Sequence, residues 1–304
     1  MRQVVRQSVA YLEHHPYVLL VLAPLFWGSN FVLGRVIVQT VPPFHFSMVR
    51  WLLAFMIFLP FAWRELRRHY RLFQQHWLLM FCLSLTGIAG FNTLLYIALQ
   101  YTTSINATLV NSTAPLLIVL LSVLFLRDRL SAWQYVGVVL SFAGVVWVIS
   151  GGQLERLVSL EFNMGDLFVL AAVLSWSIYS VLMKKWGADL PKQATFMVTM
   201  VIGLLILSPF YVWETLRSPF QWGSLTFDMW LGIVYISIFP TLVAFTCWNE
   251  GVIRVGPSRA SNYLHLIVVF AGIFAVLIGE TYTLVQLIGA IFIIGGVLIV
   301  SNYK

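Results

Sequence analysis

Residues 17–37 read YVLLVLAPLFWGSNFVLGRVI, and residues 166–186 read DLFVLAAVLSWSIYSVLMKKW. The first stretch is apolar for about 20 residues, the length that crosses ~30 Å of hydrocarbon as an α-helix. It is too long for a signal-peptide core, and no small-x-small cleavage site follows it. It therefore reads as an uncleaved first membrane helix behind Arg2, Arg6 and the His14–His15 pair. Set together at an offset of 149, the two stretches align Ala23, Leu25, Trp27, Val32 and Leu33 with Ala172, Leu174, Trp176, Val181 and Leu182, and Arg35 with Lys184. The chain carries this helix twice.

Working outward, further apolar runs fall at 44–63, 76–99, 102–126, 131–150, 164–185, 191–212, 226–250, 254–278 and 282–301. With the first they predict ten membrane helices. The breaks hold helix-stopping or interfacial residues: Pro42–Pro43, Arg64 to Arg71, Gln100 to Ser104, Arg127–Asp128–Arg129, Gly151–Gly152, Asp189 to Pro191, Ser218–Pro219, Gly256–Pro257 and Glu280. Sixty per cent of the 304 residues are hydrophobic and 10% are charged, against roughly 25% charged in a soluble domain. The net charge of +7 sits in the gaps between apolar runs, which argues against a nucleic-acid partner. Cys82 and Cys247 lie inside runs and read as small core residues; no disulfide, metal or cofactor is expected.

Basic residues test the count of spans, because lysine and arginine concentrate in cytoplasmic loops. With the N-terminus inside and ten spans, only Arg35, Arg50, Arg156 and Arg217 of the 18 basic residues fall on the outer side. Both termini are then cytoplasmic. An offset of 152 extends the repeat: Tyr96 meets Trp248, Asp128 meets Glu280, Ser131 meets Thr283, Gly137 meets Gly289, and Gly144 meets Gly296. The repeats cover 17–150 and 164–301. Each has five helices, an odd number, so the second copy crosses the membrane upside down. Inverted repeats build alternating-access carriers with the solute near the midplane between the halves.

Several ordered motifs carry a resemblance: Trp27-Gly28-Ser29-Asn30-Phe31, Arg50, Pro115, and the link from Phe125 through Arg127-Asp128-Arg129 to Ser131. Trp248-Asn249, Gly256-Pro257-Ser258-Arg259-Ala260-Ser261 and Gly279-Glu280 echo them in the second half. From about Tyr17 to Val300 the chain resembles the EamA family of the drug/metabolite transporter superfamily. The resemblance implies an all-α integral membrane fold of ten helices in two inverted five-helix repeats. It also implies a bacterial inner-membrane location and transport or export of amino acids, amines or related metabolites. Helices 1, 3, 4, 6, 8 and 9 would line a central cavity. Helices 5 and 10 would brace the halves or offer a homodimer surface. Two departures stand out: Ile267 occupies the position of the helix-4 proline, and Asp128 stands where the family has glutamate.

Polar groups at membrane depth are costly and default to function. Asn30 either bonds a solute or joins packed helices. Arg50 either attracts a carboxylate through its fork of donors or snorkels to the headgroups. Asn111, Ser112 and Thr113 precede Pro115, which frees a carbonyl one turn back and predicts a hinge. His265, the repeat mate of Thr113, is the most central titratable residue. Trp27, Tyr96, Trp176, Tyr179 and Trp248 are either walls of a cavity for an apolar or cationic group or members of an interfacial belt. The glycines at 137, 144, 289, 295 and 296 suit close packing of helices 5 and 10. Asp166, Glu250 and Glu280 lie near helix ends, which argues against an obligatory proton-antiport acid in mid-span. The chain lacks the His-Glu-x-x-His, Gly-x-Ser-x-Gly and paired-aspartate patterns of an intramembrane enzyme, and shows no filter of a channel. A lipid-intermediate carrier, an amine carrier and a nucleoside-like substrate are the rivals to an amino-acid transporter. The predicted partners are a small-molecule solute and membrane lipid.

Overall fold

The computed structural model describes residues 16–126, 131–153, 163–187, 190–255 and 261–302. The charged link Arg127–Leu130, Arg156, and the segment from Gly256 to Ala260 lie outside the described residues, as do Arg2, Arg6, Asp189 and Lys304. Among the described residues every regular element is helical. The rods are α1 (Pro16–Val38), α2 (Pro43–Gln75), α3 (Trp77–Ala98), α4 (Ser104–Asn111 and Ala114–Leu126), and α5 (Ala132–Ile149). The second five are α6 (Met164–Trp186), α7 (Lys192–Arg217), α8 (Phe227–Ile238 continuing to Val255), α9 (Ser261–His265 and Leu266–Leu277), and α10 (Leu284–Asn302). Seven of them are long and apolar enough to cross a membrane; α5, α9 and α10 carry shorter apolar stretches and pack beside them.

Large apolar side chains cover the outside. Phe61, Leu124, Leu216, Phe227 and Ile291 are each more than two-thirds exposed. Polar and charged residues, among them Arg50, Asn30 and Asn92, are buried. This distribution is the reverse of a water-soluble core and fits lipid as the solvent.

The repeat offset recurs in local structure. Ser131 caps α5 and exchanges bonds with Gln134; Thr283 and Gln286, 152 residues on, make the same capping box before α10. A π-helical segment interrupts α3 at Ser84–Gly90 and α8 at Phe239–Val243, overlapping positions in the two repeats. The break in α4 at Ser112–Thr113 is matched by the tight 3-10 turn Ser261–His265 of α9.

Two spans end where the apolar runs do not. Helix 2 is predicted to stop at 63, yet α2 continues through 33 residues to Gln75. Arg64 to Arg71 end the apolar run but are good helix formers, so they carry the rod on into the polar zone. Residues 254 and 255, expected to open helix 9, lie in α8, and the described part of α9 runs from Ser261. Residues up to Val255 belong to α8, whose last turns are supported by the Glu250–Arg254 pair at 2.7 Å. The α3–α4 boundary is set by Thr103, whose hydroxyl accepts from the Asn106 backbone N–H at 3.1 Å.

α5 and α10 lie together along a glycine seam. A Cβ on Gly296 would meet the Gly137 carbonyl oxygen and the Ser141 nitrogen at 2.5 Å, and one on Gly144 would meet the Ile293 nitrogen at 2.8 Å. α2 pairs with α7. At one end Glu65 caps α7 by accepting from the Ala194 N–H at 2.9 Å; at the other, buried His45 bonds Glu214 at 2.7 Å and Thr215 at 3.1 Å.

Candidate functional site

A cavity of about 40 Å³ lies between the two halves. Its walls come from α1, α2, α3, α4, α6, α8 and α9. The six lining helices implied by the resemblance are therefore joined by α2, which contributes Arg50.

Arg50 is 1% exposed. It does not reach a headgroup layer: the snorkelling alternative is replaced by burial, because neutral acceptors surround it at depth. Its Nε donates to Thr241 Oγ1 at 2.7 Å, and its Nη1 donates to Asn92 Oδ1 at 2.7 Å and to the Tyr96 hydroxyl. Tyr96 in turn donates its O–H to Asn30 Oδ1 at 2.9 Å. Among the described residues no carboxylate lies within ion-pair distance of Arg50. A charge buried without a counter-ion is expensive, and here it borders the cavity.

Across the cavity on α9 is His265, 8% exposed, with neither ring nitrogen hydrogen-bonded among the described residues. Asn111, from the last turn before the α4 break, and Pro115, just after it, line the same space. Proline leaves the Asn111 carbonyl without its helical donor. Ile267 holds the matching place in α9, so the α9 turn forms without a proline.

Aromatic rings close one side. Trp27 and Trp176 meet edge to face at 6.2 Å, and Phe245 lies 5.8 Å from each. The Trp27 indole N–H donates to the Pro240 carbonyl at 3.1 Å, inside the π segment of α8.

Four expected site residues stand one layer back. Tyr96 touches the cavity only through Arg50 and Asn30. Tyr179 stacks behind Trp176 at 5.1 Å, over Gly87, where no larger side chain would leave room for its ring. Trp248 packs behind Trp27 at 5.6 Å. Thr113 bonds the Val110 carbonyl of its own helix at 2.7 Å and does not line the cavity, whereas Ser112 does. Asn92, Phe91, Phe245 and Leu264 were not among the expected residues. Asn92 is a polar residue inside an apolar run, the same signal that marks Asn30 and Asn111.

The end of the bundle near Glu280 is tied shut. The Glu280 carboxylate accepts from the Ser104 and Ile105 N–H groups at 3.1 and 3.3 Å and pairs with Arg35 at 3.4 Å. An anion at a helix N-terminus is stabilising. Glu280→Ala should lower stability by about 1–2 kcal/mol, as for loss of a helix cap. Thermal unfolding in detergent checks this, and an unchanged melting temperature would rule the tie out. The opposite end holds a crevice of about 780 Å³ between α2 and α7, with Arg64, Arg68 and Lys192 on its walls. Phe196, one turn beyond Lys192, stacks at 5.2 Å on Phe245, which lines the cavity.

A duplicated bundle of membrane-spanning helices with a largely apolar cavity between its halves, bordered by a few polar groups such as Arg50, Asn30 and His265, is the build of a membrane transporter. The sequence matches the EamA-like transporter family over residues 15–150 and again over 163–302, and the chain belongs to that family, within the drug/metabolite transporter superfamily. It is a transporter and not an enzyme. A protein described as the uncharacterized transporter YyaM of Bacillus subtilis is 30% identical over 223 residues, 72% of each chain. The uncharacterized transporter YetK of the same organism is 26% identical over 93% of this chain and 86% of its own. An uncharacterized transporter of Archaeoglobus fulgidus is 26% identical over 92% of this chain and 95% of its own. One crystal structure shares the fold with a TM-score of 0.63 at 21% identity, covering 93% of this chain and 95% of that one.

Proposed function

We infer that the protein is a secondary transporter of small organic solutes bearing a carboxylate, amino acids in the simplest case, across the bacterial inner membrane by alternating access. The observation that carries this reading is Arg50, a buried cation at the cavity with no carboxylate partner among the described residues. A solute carboxylate supplies the missing charge. His265 and Asn111 offer polar groups to the rest of the solute, and Trp27 and Trp176 bracket its apolar part. The cavity's 40 Å³ is far below the roughly 300 Å³ or more of a ligand site. The halves must separate to admit a solute, which is what rocking of repeats 17–150 and 164–301 provides. Both termini and the basic α2–α7 crevice lie on the cytoplasmic side in this reading, with the Glu280 end outside.

Uptake of labelled amino acids into proteoliposomes, with and without a pH gradient, tests it. Saturable uptake of a subset is expected, with no uptake of the matching amides. His265→Ala or Asn111→Ala should weaken apparent affinity about tenfold, the loss of one buried hydrogen bond. Transport of amines, nucleosides or lipid intermediates but of no carboxylate would sink the reading.

A further inference from the structure

Arg50 also joins the two repeats. Thr241, which accepts from Nε, lies within the π-helical segment Phe239–Val243 of α8. Asn92, which accepts from Nη1, returns its amide N–H to the Gly87 carbonyl at 3.3 Å, inside the π-helical segment Ser84–Gly90 of α3. One guanidinium thus ties α2 and α3 of the first repeat to α8 of the second, through the π-helical segments of α3 and α8. Such segments concentrate at functional sites.

The donor inventory matters here. A guanidinium has five N–H groups on three nitrogens. Nε is taken by Thr241, and both Nη1 protons by Asn92 and Tyr96. Nη2 has no partner among the described residues. A carboxylate held by two parallel bonds must use Nη2 together with a neighbour. Taken side-on, that neighbour is Nε, and the Thr241 bond must break. Taken end-on, it is Nη1, and a bond within the first repeat must break. An ionised carboxylate brings the guanidinium an opposite charge and a two-bond geometry that the single Thr241 hydroxyl does not, so the exchange favours the solute.

We propose that Arg50 couples solute binding to motion of the halves: the carboxylate grips Nε and Nη2 side-on, displaces Thr241, and so releases the one Arg50 bond that spans the repeats among the described residues. Thr241 is a positioning residue that holds the empty carrier closed. The trigger rests on the carboxylate reading above.

The test uses Ala114→Cys, a cavity-lining reporter, in a chain with Cys82→Ala and Cys247→Ala, reconstituted and treated with a membrane-impermeant maleimide on both sides. With Thr241 in place, labelling is expected to be slow and to be accelerated by a transported amino acid. Thr241→Val should label about tenfold faster without solute, the effect of losing one hydrogen bond to a charged group, with little further response to solute. Thr241→Ser keeps the hydroxyl and should behave like the parent, which a packing role for the lost methyl would not produce. If amino acids are carried but Thr241→Val labels at the parent rate, the coupling role falls and the carboxylate reading stands. If no amino acid is carried and none changes labelling of the parent, the carboxylate reading falls and takes the trigger with it.

Discussion

Arg50→Ala is expected to reduce saturable uptake by about 100-fold or more, corresponding to roughly 2.7 kcal/mol, within the range for truncating a buried charged partner. The loss has two parts. The solute's carboxylate would enter a site with no cation, and Thr241, Asn92 and Tyr96 would lose the donors that now organise them. Arg50→Lys keeps the charge but not the fork, and should retain weak uptake with poorer discrimination between carboxylates. Stability should move the other way. A buried cation without a counter-ion is a cost to the folded state, so Arg50→Met should melt no lower than the parent. Uptake kinetics and melting in detergent, measured on the same preparations, separate the two effects. Arg50→Ala transporting within threefold of the parent would remove Arg50 from the site.

Gly296→Val should be the most damaging change outside the cavity. Two backbone atoms of α5, the Gly137 oxygen and Ser141 nitrogen, stand 2.5 Å from where its Cβ would sit. Backbone cannot swing aside as a flexible side chain can, so α5 and α10 must part along their seam. The expected cost is about 3 kcal/mol, the upper part of the range for overpacking, read as a lower melting temperature and a smaller monodisperse yield. Gly295→Val serves as the control, because nothing lies within 4 Å of a Cβ there. Equal behaviour of the two variants would show that the seam is not tight.

The number and order of the helices are legible in the sequence because lipid thickness sets the length of each apolar run and glycine, proline and charge punctuate them. Hydropathy locates where a run leaves hydrocarbon, but not where a helix ends, which is why α2 extends past Trp63 to Gln75. It locates depth along a helix better than the direction a residue faces. Trp27, Asn30, Arg50, Asn111, Pro115, Trp176 and His265 border the cavity, whereas Tyr96, Thr113, Tyr179 and Trp248 are not in its lining. The π segments rotate the following residues relative to an unbroken helix, and no periodicity in the sequence announces them. Thr241 is hidden for that reason: beside Pro240 it looks like one more threonine bonding its own helix, and it does bond the Ile236 carbonyl at 2.8 Å. Its second role appears only when Arg50 arrives from a helix 191 residues away.

The length of α2 has a further consequence. Its 33 residues extend about 50 Å at 1.5 Å per residue, against ~30 Å of hydrocarbon. The excess carries Arg64, Arg67, Arg68 and Arg71, with Arg67 resting on the Trp63 ring at 4.6 Å and Arg71 on Tyr70 at 5.8 Å. Such pairs moor a helix among phospholipid headgroups, and Arg64 stands about 21 Å along the rod from Arg50. A single helix, with Pro60 inside it, thus runs from the headgroup layer to the guanidinium. In a thicker or thinner bilayer the mooring shifts relative to the opposite leaflet, and bilayer thickness acts on the carrier through the helix that holds Arg50.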